Sequence, residues 1–296
     1  MEPIWKVTSS SRISSSLASY VISTTLFKNF VFSYGSAVFL KLDTGKYTIT
    51  NSFFYNCLSN SYFSNSMRSQ ASGGALYAFG STNLNNSCFY KCVSLNYGGG
   101  AYLGANSNIL IEQSLNSYAL CHALHGGSYL SDHGNQKQNH LNSTSSFSST
   151  SICCGGSTMY PFSSSFSYIQ VFNASSGSVF NIESKSGTTS TLSYSNFQNT
   201  LTATSLFSVY QSTSRANYCN FINTCTRVFT INSGSGSMSN CFSDRVLNSV
   251  GYSLVSVVPT YNVMSPSNQC VRVSPYITQS KETRPMLLIL LTLALL

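Results

Sequence analysis

Apolar and polar residues alternate along this chain in short runs, and the runs return. Around Phe180 the order is Val179, Phe180, Asn181, Ile182, and around Phe229 it is Val228, Phe229, Thr230, Ile231. Alternation with period two, in aromatic and β-branched residues, predicts short strands on a pleated, half-buried surface. No repeat carries an apolar stripe of helical period, so helices are not expected between the strands.

Paired glycines precede an aromatic in "SGGALYAFG" (72–80), "YGGGAYLGA" (97–105) and "HGGSYLS" (125–131). Tyr77, Tyr102 and Tyr129 head a marker column that extends to Phe39 on one side and to Tyr160, Phe180, Phe207 and Phe229 on the other. From Tyr77 onward the marker returns after 25, 27, 31, 20, 27 and 22 residues. A second column holds Phe54, Phe89, Phe197, Phe221 and Phe242, and "NSFFYNC" (51–57) nearly duplicates "NSCFYKC" (86–92). Phe27, Leu115, Phe147 and Phe166 fit this second column less closely.

Two short strands per repeat, separated by Gly, Asn and Ser, predict a solenoid in which each unit buries its apolar face on its neighbour. The expected fold is all-β, a single-domain right-handed parallel β-helix of about eight coils. Equivalent positions in such a stack lie about 4.8 Å apart, so Tyr77, Tyr102 and Tyr129 are expected to form one aromatic ladder. The glycines supply the positive φ that a tight corner requires. The expected organisation is a Ser-rich N-terminal segment or cap (1–20), the β-helix (21–258), a polar linker or C-terminal cap (259–285) and an apolar tail (286–296).

Composition changes this picture in one respect. Only 7% of residues are charged, 42% are hydrophobic and 60 are serines, so the expected exterior is polar but uncharged, as on secreted or surface solenoids. The net charge of +8 arises from 15 basic and seven acidic residues. The basic residues are scattered and no helix-turn-helix or zinc-finger pattern is present, so nucleic acid is not an expected partner.

"GGAL" (73–76), "GGAY" (99–102) and "FFYN" (53–56) resemble the GGA[ILV] and FxxN repeats of the polymorphic outer-membrane proteins of chlamydiae. The Ser-, Asn- and Cys-rich remainder resembles the right-handed β-helix, pectin-lyase-like surface proteins of trichomonad protozoa. FxxN is intact only once, because "FKN" at Phe27, "FQN" at Phe197 and "FIN" at Phe221 are one residue shorter. The resemblance implies a surface or adhesive role with a host or matrix glycan or protein as ligand. It carries over no catalytic residue.

Enzymes on this scaffold need converging carboxylates or a calcium site. The acids here, Glu2, Asp43, Glu112, Asp132, Glu183, Asp244 and Glu282, are dispersed. The best pair is Asp132 with Glu183, each three residues after its marker and two coils apart. Their separation would be about 10 Å, a little beyond that of an inverting pair. Two solvated turn carboxylates are the simpler reading.

All four histidines, His122, His125, His133 and His140, lie within about 20 residues that also hold Cys121 and Asp132. "CHALH" offers Cys121, His122 and His125 as zinc ligands but has no second half at finger spacing, and "SDHGNQKQNHLNS" reads as a polar loop between coils. Of the ten cysteines, Cys57 and Cys92 share one coil position, three residues after Phe54 and Phe89. They are either buried thiols or, with some of Cys88, Cys121, Cys153, Cys154, Cys219, Cys225, Cys241 and Cys270, members of inter-coil disulfides, which the even count favours slightly.

No catalytic, cofactor-binding or metal-ligating residue is assigned, and no cofactor is expected. The expected function is non-enzymatic, a surface or membrane-associated solenoid with an extended binding face; the alternative is a polysaccharide lyase or hydrolase on the same scaffold. No apolar core of a secretory signal is visible at the start. The run Met286–Leu296 follows Lys281 and Arg284 and is too short to span a bilayer, which takes about 20 residues, so membrane association through this tail is expected as a lipid-anchor signal or part of a longer helix.

Overall fold

A strand that ends at a left-handed residue must turn a corner, and this chain places such residues at regular intervals. The computed structural model describes residues 7–254, apart from 10, 33–34, 61–71, 107–108, 149–155, 160, 162, 174–177, 184–187, 201–204, 211, 225–226, 228, 233 and 245–251. The described chain is all-β, with parallel strands stacked as a β-solenoid, and the number of coils differs slightly from the eight expected.

One coil runs through Ala101–Gly104, Leu110–Ser114, Ser117–Ala119 and His122–Ala123. The next repeats it as Tyr129–Asp132, Asn135–Asn139, Asn142–Thr144 and Phe147–Ser148, each strand parallel to its predecessor. Strand pairing already begins within the first 20 residues, where Val7–Ser9 pairs with Thr25–Lys28 and Ile13–Ser15 with Val38–Thr50. Residues 259–296, including the apolar tail, lie outside the described residues.

The lumen is filled by the inward half of each strand. Along the third strand position Phe27, Phe54, Phe89 and Tyr118 stack at centroid distances of 4.9, 4.6 and 4.8 Å with nearly parallel planes. All four are fully buried. Each such pair contributes about 0.5–1.5 kcal/mol beyond the burial of its rings. Along the second position Ile22, Ile49, Leu84, Gln113, Gln138, Phe166, Leu192, Ala216 and Met238 follow one another in register.

The glycine corners keep the register they were expected to keep. Gly73, Gly98 and Gly126 have φ of 67°, 63° and 66°. A Cβ on Gly74 would collide with the carbonyl oxygen of Gly99 in the next coil, so the second glycine is required by the close approach of two backbones.

The aromatic markers need correction at one point. Phe39, Tyr77 and Tyr102 are in register and stack at 5.0 Å, but Tyr129 pairs with Ala101 and it is Leu130 that faces Tyr102. After its glycines the third repeat reaches its aromatic one residue sooner. A shift of one residue in a strand turns the side chain to the opposite face. Tyr129 therefore points into the lumen, whereas Tyr77, Tyr102 and Leu130 form a separate buried cluster on the outer side with Phe39, Phe79 and Tyr97 packed against it. Phe180, Phe207 and Phe229 follow the register of Tyr129 through Gly156. Tyr160 lies outside the described residues, and the position aligned with Phe180 is Gly156.

The second column is corrected in the same way. Phe27 is a full member, paired with Phe54. Leu115 is a corner residue, Phe147 sits on the fourth strand position, Phe166 pairs with Leu192 on the second, and Phe242 pairs with Asn220 instead of Phe221.

Asn135–Asn139, expected as a loop, is a strand in register with Leu110–Ser114 and Ser163–Ser167. Its polar side chains misled the reading because Gln136 and Gln138 are buried, along with Gln113 of the coil before. Their amides consume one another and two phenols: Tyr118 Oη donates to Gln113 Oε1 at 2.6 Å, Tyr129 Oη donates to Gln138 Oε1, and Gln136 Nε2 donates to the His133 carbonyl at 2.9 Å. A buried amide is tolerated where its donors and acceptors find partners.

Candidate functional site

Two columns of left-handed residues bracket the third strand position. The first runs Thr24, Asn51, Asn86, Leu115, His140, Tyr168, Tyr194, Tyr218, Asn240, and the second Asn29, Asn56, Lys91, Leu120, Ser145, Asn173, Asn199, Asn223. Asn suits these corners because its short amide tolerates positive φ and bonds to the coil above. Asn56 Nδ2 donates to Asn29 Oδ1 at 2.8 Å, Asn86 Nδ2 to Asn51 Oδ1 at 2.6 Å, and Asn223 Nδ2 to Asn199 Oδ1 at 2.8 Å. The shorter "FKN", "FQN" and "FIN" triplets are thus the true corner signal, with Phe54 and Asn56 as the matching pair inside "FFYN".

In four consecutive coils the first corner holds rings, where earlier coils hold Thr24, Asn51, Asn86 and Leu115. His140, Tyr168, Tyr194 and Tyr218 have φ of 51°, 54°, 50° and 53° and stack face to face at 4.5, 5.3 and 5.2 Å. Tyr194 and Tyr218 remain 37% and 42% exposed, so the stack is an aromatic ridge on the surface with its edges toward solvent. A bulky residue at positive φ is unusual, and the stacking offsets part of its cost.

A second surface strip lies across the other corner. Tyr55 and Tyr90 stack at 5.8 Å, with Lys28 Nζ 6.0 Å from the Tyr55 centroid and Lys91 Nζ 5.5 Å from that of Tyr90. Lys28, Tyr55 and Tyr90 are in register on successive coils. Neither lysine forms an ion pair among the described residues, and the Asn29–Asn56 amide pair stands beside them. Partial burial, then the neighbouring Tyr90, holds the Tyr55 phenol above its usual range.

Four carboxylates among the described residues are engaged elsewhere. Asp43 accepts from Asn106 Nδ2 at 3.0 Å, Glu112 pairs with Lys137 at 3.0 Å, and Asp244 accepts from the Asn223 amide at 2.8 Å. Asp132 is buried, accepts from Tyr102 Oη at 2.7 Å and contacts His133 Nδ1 at 2.7 Å. Burial, and then the Asp132 charge, push the Tyr102 phenol well above its usual range. Asp132 and Glu183 share one register through Met159, two coils apart, as their spacing in the chain implied. Asp132 is not the solvated turn carboxylate of the simpler reading.

The four histidines are spread over separate positions. His122 stacks on Phe147 at 5.0 Å, His125 on Tyr97 at 5.0 Å, and His140 on Tyr168. Burial lowers the pKa of His122 and of His125. Cys121 points inward, with Sγ 3.5 Å from the Phe89 carbonyl. Among the described residues no three His, Cys, Asp or Glu side chains converge on a metal position.

The buried-thiol reading holds for five of the described cysteines. Cys57, Cys92 and Cys121 are free, buried thiols, each three residues after Phe54, Phe89 and Tyr118 on successive coils, and burial drives the Cys92 thiol well up. Cys219 and Cys241 form a second free pair, with the Cys219 amide 3.4 Å from Cys241 Sγ. Cys88 is disulfide-bonded, and Cys153, Cys154, Cys225 and Cys270 lie outside the described residues.

The exposed ridge was missed in the sequence, although a signal for it exists. "SYIQVFN" (167–173), "SYSNFQN" (193–199) and "NYCNFIN" (217–223) are one motif in which the tyrosine comes three residues before the inward residue. The larger Phe markers drew attention away from it.

No protein family, curated protein or solved structure matches the chain. The β-solenoid fold stands on the strand pairing alone.

Proposed function

We propose that the protein is a non-catalytic, surface or membrane-associated β-solenoid whose flank binds an acidic glycan. One observation supports this most: Lys28 and Lys91, without an ion pair among the described residues, stand over two stacked tyrosines on adjoining coils, with an amide pair alongside. Cations without carboxylate partners attract an anionic ligand, and phenol and amide groups bond to hydroxyls. A single-stranded nucleic acid fits less well, because base stacking needs open ring faces and these rings cover one another.

The test is binding of uronate-bearing and sulfated polysaccharides, compared with neutral glucans, at low and high salt. Acidic polymers should bind in a salt-sensitive way, and Lys28→Ala and Lys91→Ala should each lose roughly tenfold in affinity, the scale of one charge-assisted contact per side chain. Equal binding of neutral polymers, or an unaffected double variant, would overturn the assignment. Membrane attachment through Met286–Leu296 belongs to the same reading. A chain ending before Lys281 should leave the membrane fraction while keeping its β-type circular dichroism.

A second reading, hydrolysis or elimination on an acidic polysaccharide, is favoured by the shared register of Asp132 and Glu183. It requires turnover that disappears in Asp132→Asn or Glu183→Gln.

A further inference from the structure

We infer that Tyr168, Tyr194 and Tyr218 form an oxidative cross-linking site, at which a one-electron phenol oxidant joins neighbouring coils through dityrosine. The inference is independent of the glycan assignment, which concerns another corner.

Three observations support it. The rings are held face to face, 5.3 and 5.2 Å apart with planes inclined by only 15° and 7°. Tyr194 and Tyr218 are 37% and 42% exposed, open to a small oxidant or to electron transfer at the surface. The third is the cost of their position. Asn51, Asn86 and Asn240 occupy the same left-handed corner at little strain, yet three successive coils place tyrosine there. Residues held in sparsely populated backbone regions cluster at functional sites.

The backbone holds the partners adjacent. The amides of Tyr168, Tyr194 and Tyr218 each donate to the next coil, to Ser193, Asn217 and Ser239, at 3.1 Å. Ring edges facing solvent leave room for the rotation that brings two ortho carbons together.

The chemistry balances with a peroxide as oxidant, delivered by a haem peroxidase. Each phenol loses one electron and one proton to give a neutral phenoxyl radical with spin on its ortho carbons. Two radicals form one ortho–ortho C–C bond, and the hydrogens on those carbons shift to oxygen, restoring both phenols. Two tyrosines and one hydrogen peroxide therefore yield one dityrosine and two waters. The product is a covalent staple between coils whose described cysteines, Cys219 and Cys241, are free thiols.

Two other stacked pairs serve as internal controls. Tyr77 and Tyr102 are as close, at 5.0 Å, but only 2% and 3% exposed, and the Tyr102 hydroxyl is donated to Asp132. Tyr55 and Tyr90 lie farther apart, at 5.8 Å, beside two cations that disfavour removal of an electron.

The experiment treats dilute full-length chain with a haem peroxidase and hydrogen peroxide, reads dityrosine fluorescence, and maps cross-linked peptides by mass. Cross-links are expected between Tyr168 and Tyr194 or between Tyr194 and Tyr218, within one chain. Tyr194→Phe, which keeps the ring and the stack, should remove most of the signal, whereas Tyr168→Phe should leave the Tyr194–Tyr218 link. Dityrosine at the wild-type level in Tyr194→Phe would overturn the inference. So would cross-links mapping to Tyr55–Tyr90 or between chains instead, or no coupling under conditions that couple free tyrosine.

Discussion

From Phe27 to Tyr118 the aromatic ladder stands inside the coil, fully buried, while from His140 to Tyr218 it stands outside, one corner upstream. The two ladders have nearly the same spacing, because both inherit it from the strand repeat of about 4.8 Å. They differ in what the stacking accomplishes. Inside, rings fill the lumen of the early coils, whereas later coils use Ser143, Val171 and Phe197 at the same position. Outside, rings cover one another but leave their edges in water. Stacking alone therefore says little about stability, and burial decides whether a ladder is core or surface.

Substitutions can break or sharpen this comparison. The largest effect should come from the corner that sets the register of the inner coils. Gly74→Ala places a Cβ against the Gly99 carbonyl, a backbone group that cannot move aside, and should cost more than about 4 kcal/mol, read as loss of β-type circular dichroism at ambient temperature. Phe89→Ala removes the middle of the buried ladder and should destabilise by about 3–5 kcal/mol in denaturant unfolding. If that variant unfolds like wild type, the inner stack is not the core it resembles.

A pH effect should follow from His122 and His125, whose pKa burial depresses in the folded state. Their contribution is fully present above the unfolded value of about 6.5 and is lost as pH falls through the lower folded value. The thermal midpoint should therefore drop on acidification below about pH 6.5, and His122→Gln should flatten that drop. The smallest effect belongs to the outer ladder. Tyr194→Asn gives up two stacking contacts but relieves a bulky residue at positive φ, so its stability should stay within about 1 kcal/mol of wild type. A cost near that of Phe89→Ala would erase the distinction between the two ladders.

Much of the architecture was legible from residue order. The glycine pairs marked real corners, the Phe54 and Phe89 repeats marked real register, and Cys57 and Cys92 share one coil position. The surface ridge was hidden because Tyr168, Tyr194 and Tyr218 are as apolar as core residues, and a corner ring is told from an inward one by its place three residues before the inward residue, a motif visible across repeats and not within one. The strand Asn135–Asn139 was hidden for the opposite reason: its glutamines look solvated, and their burial depends on partners that folding brings close, among them Tyr129, Ser131 and the His133 carbonyl.

Sequence alone determined the repeating unit, since period-two alternation and corner residues are properties of a few neighbouring positions. It also determined how little charge the chain carries. The tertiary structure decided the phase of each unit against the next. Tyr102 and Tyr129 follow similar glycine pairs, yet one residue of difference sends the first ring outward and the second into the lumen. That choice depends on which backbone amides in adjacent coils pair, a contact between residues some 25 to 30 positions apart, and a strand whose two faces both carry aromatics does not announce it locally.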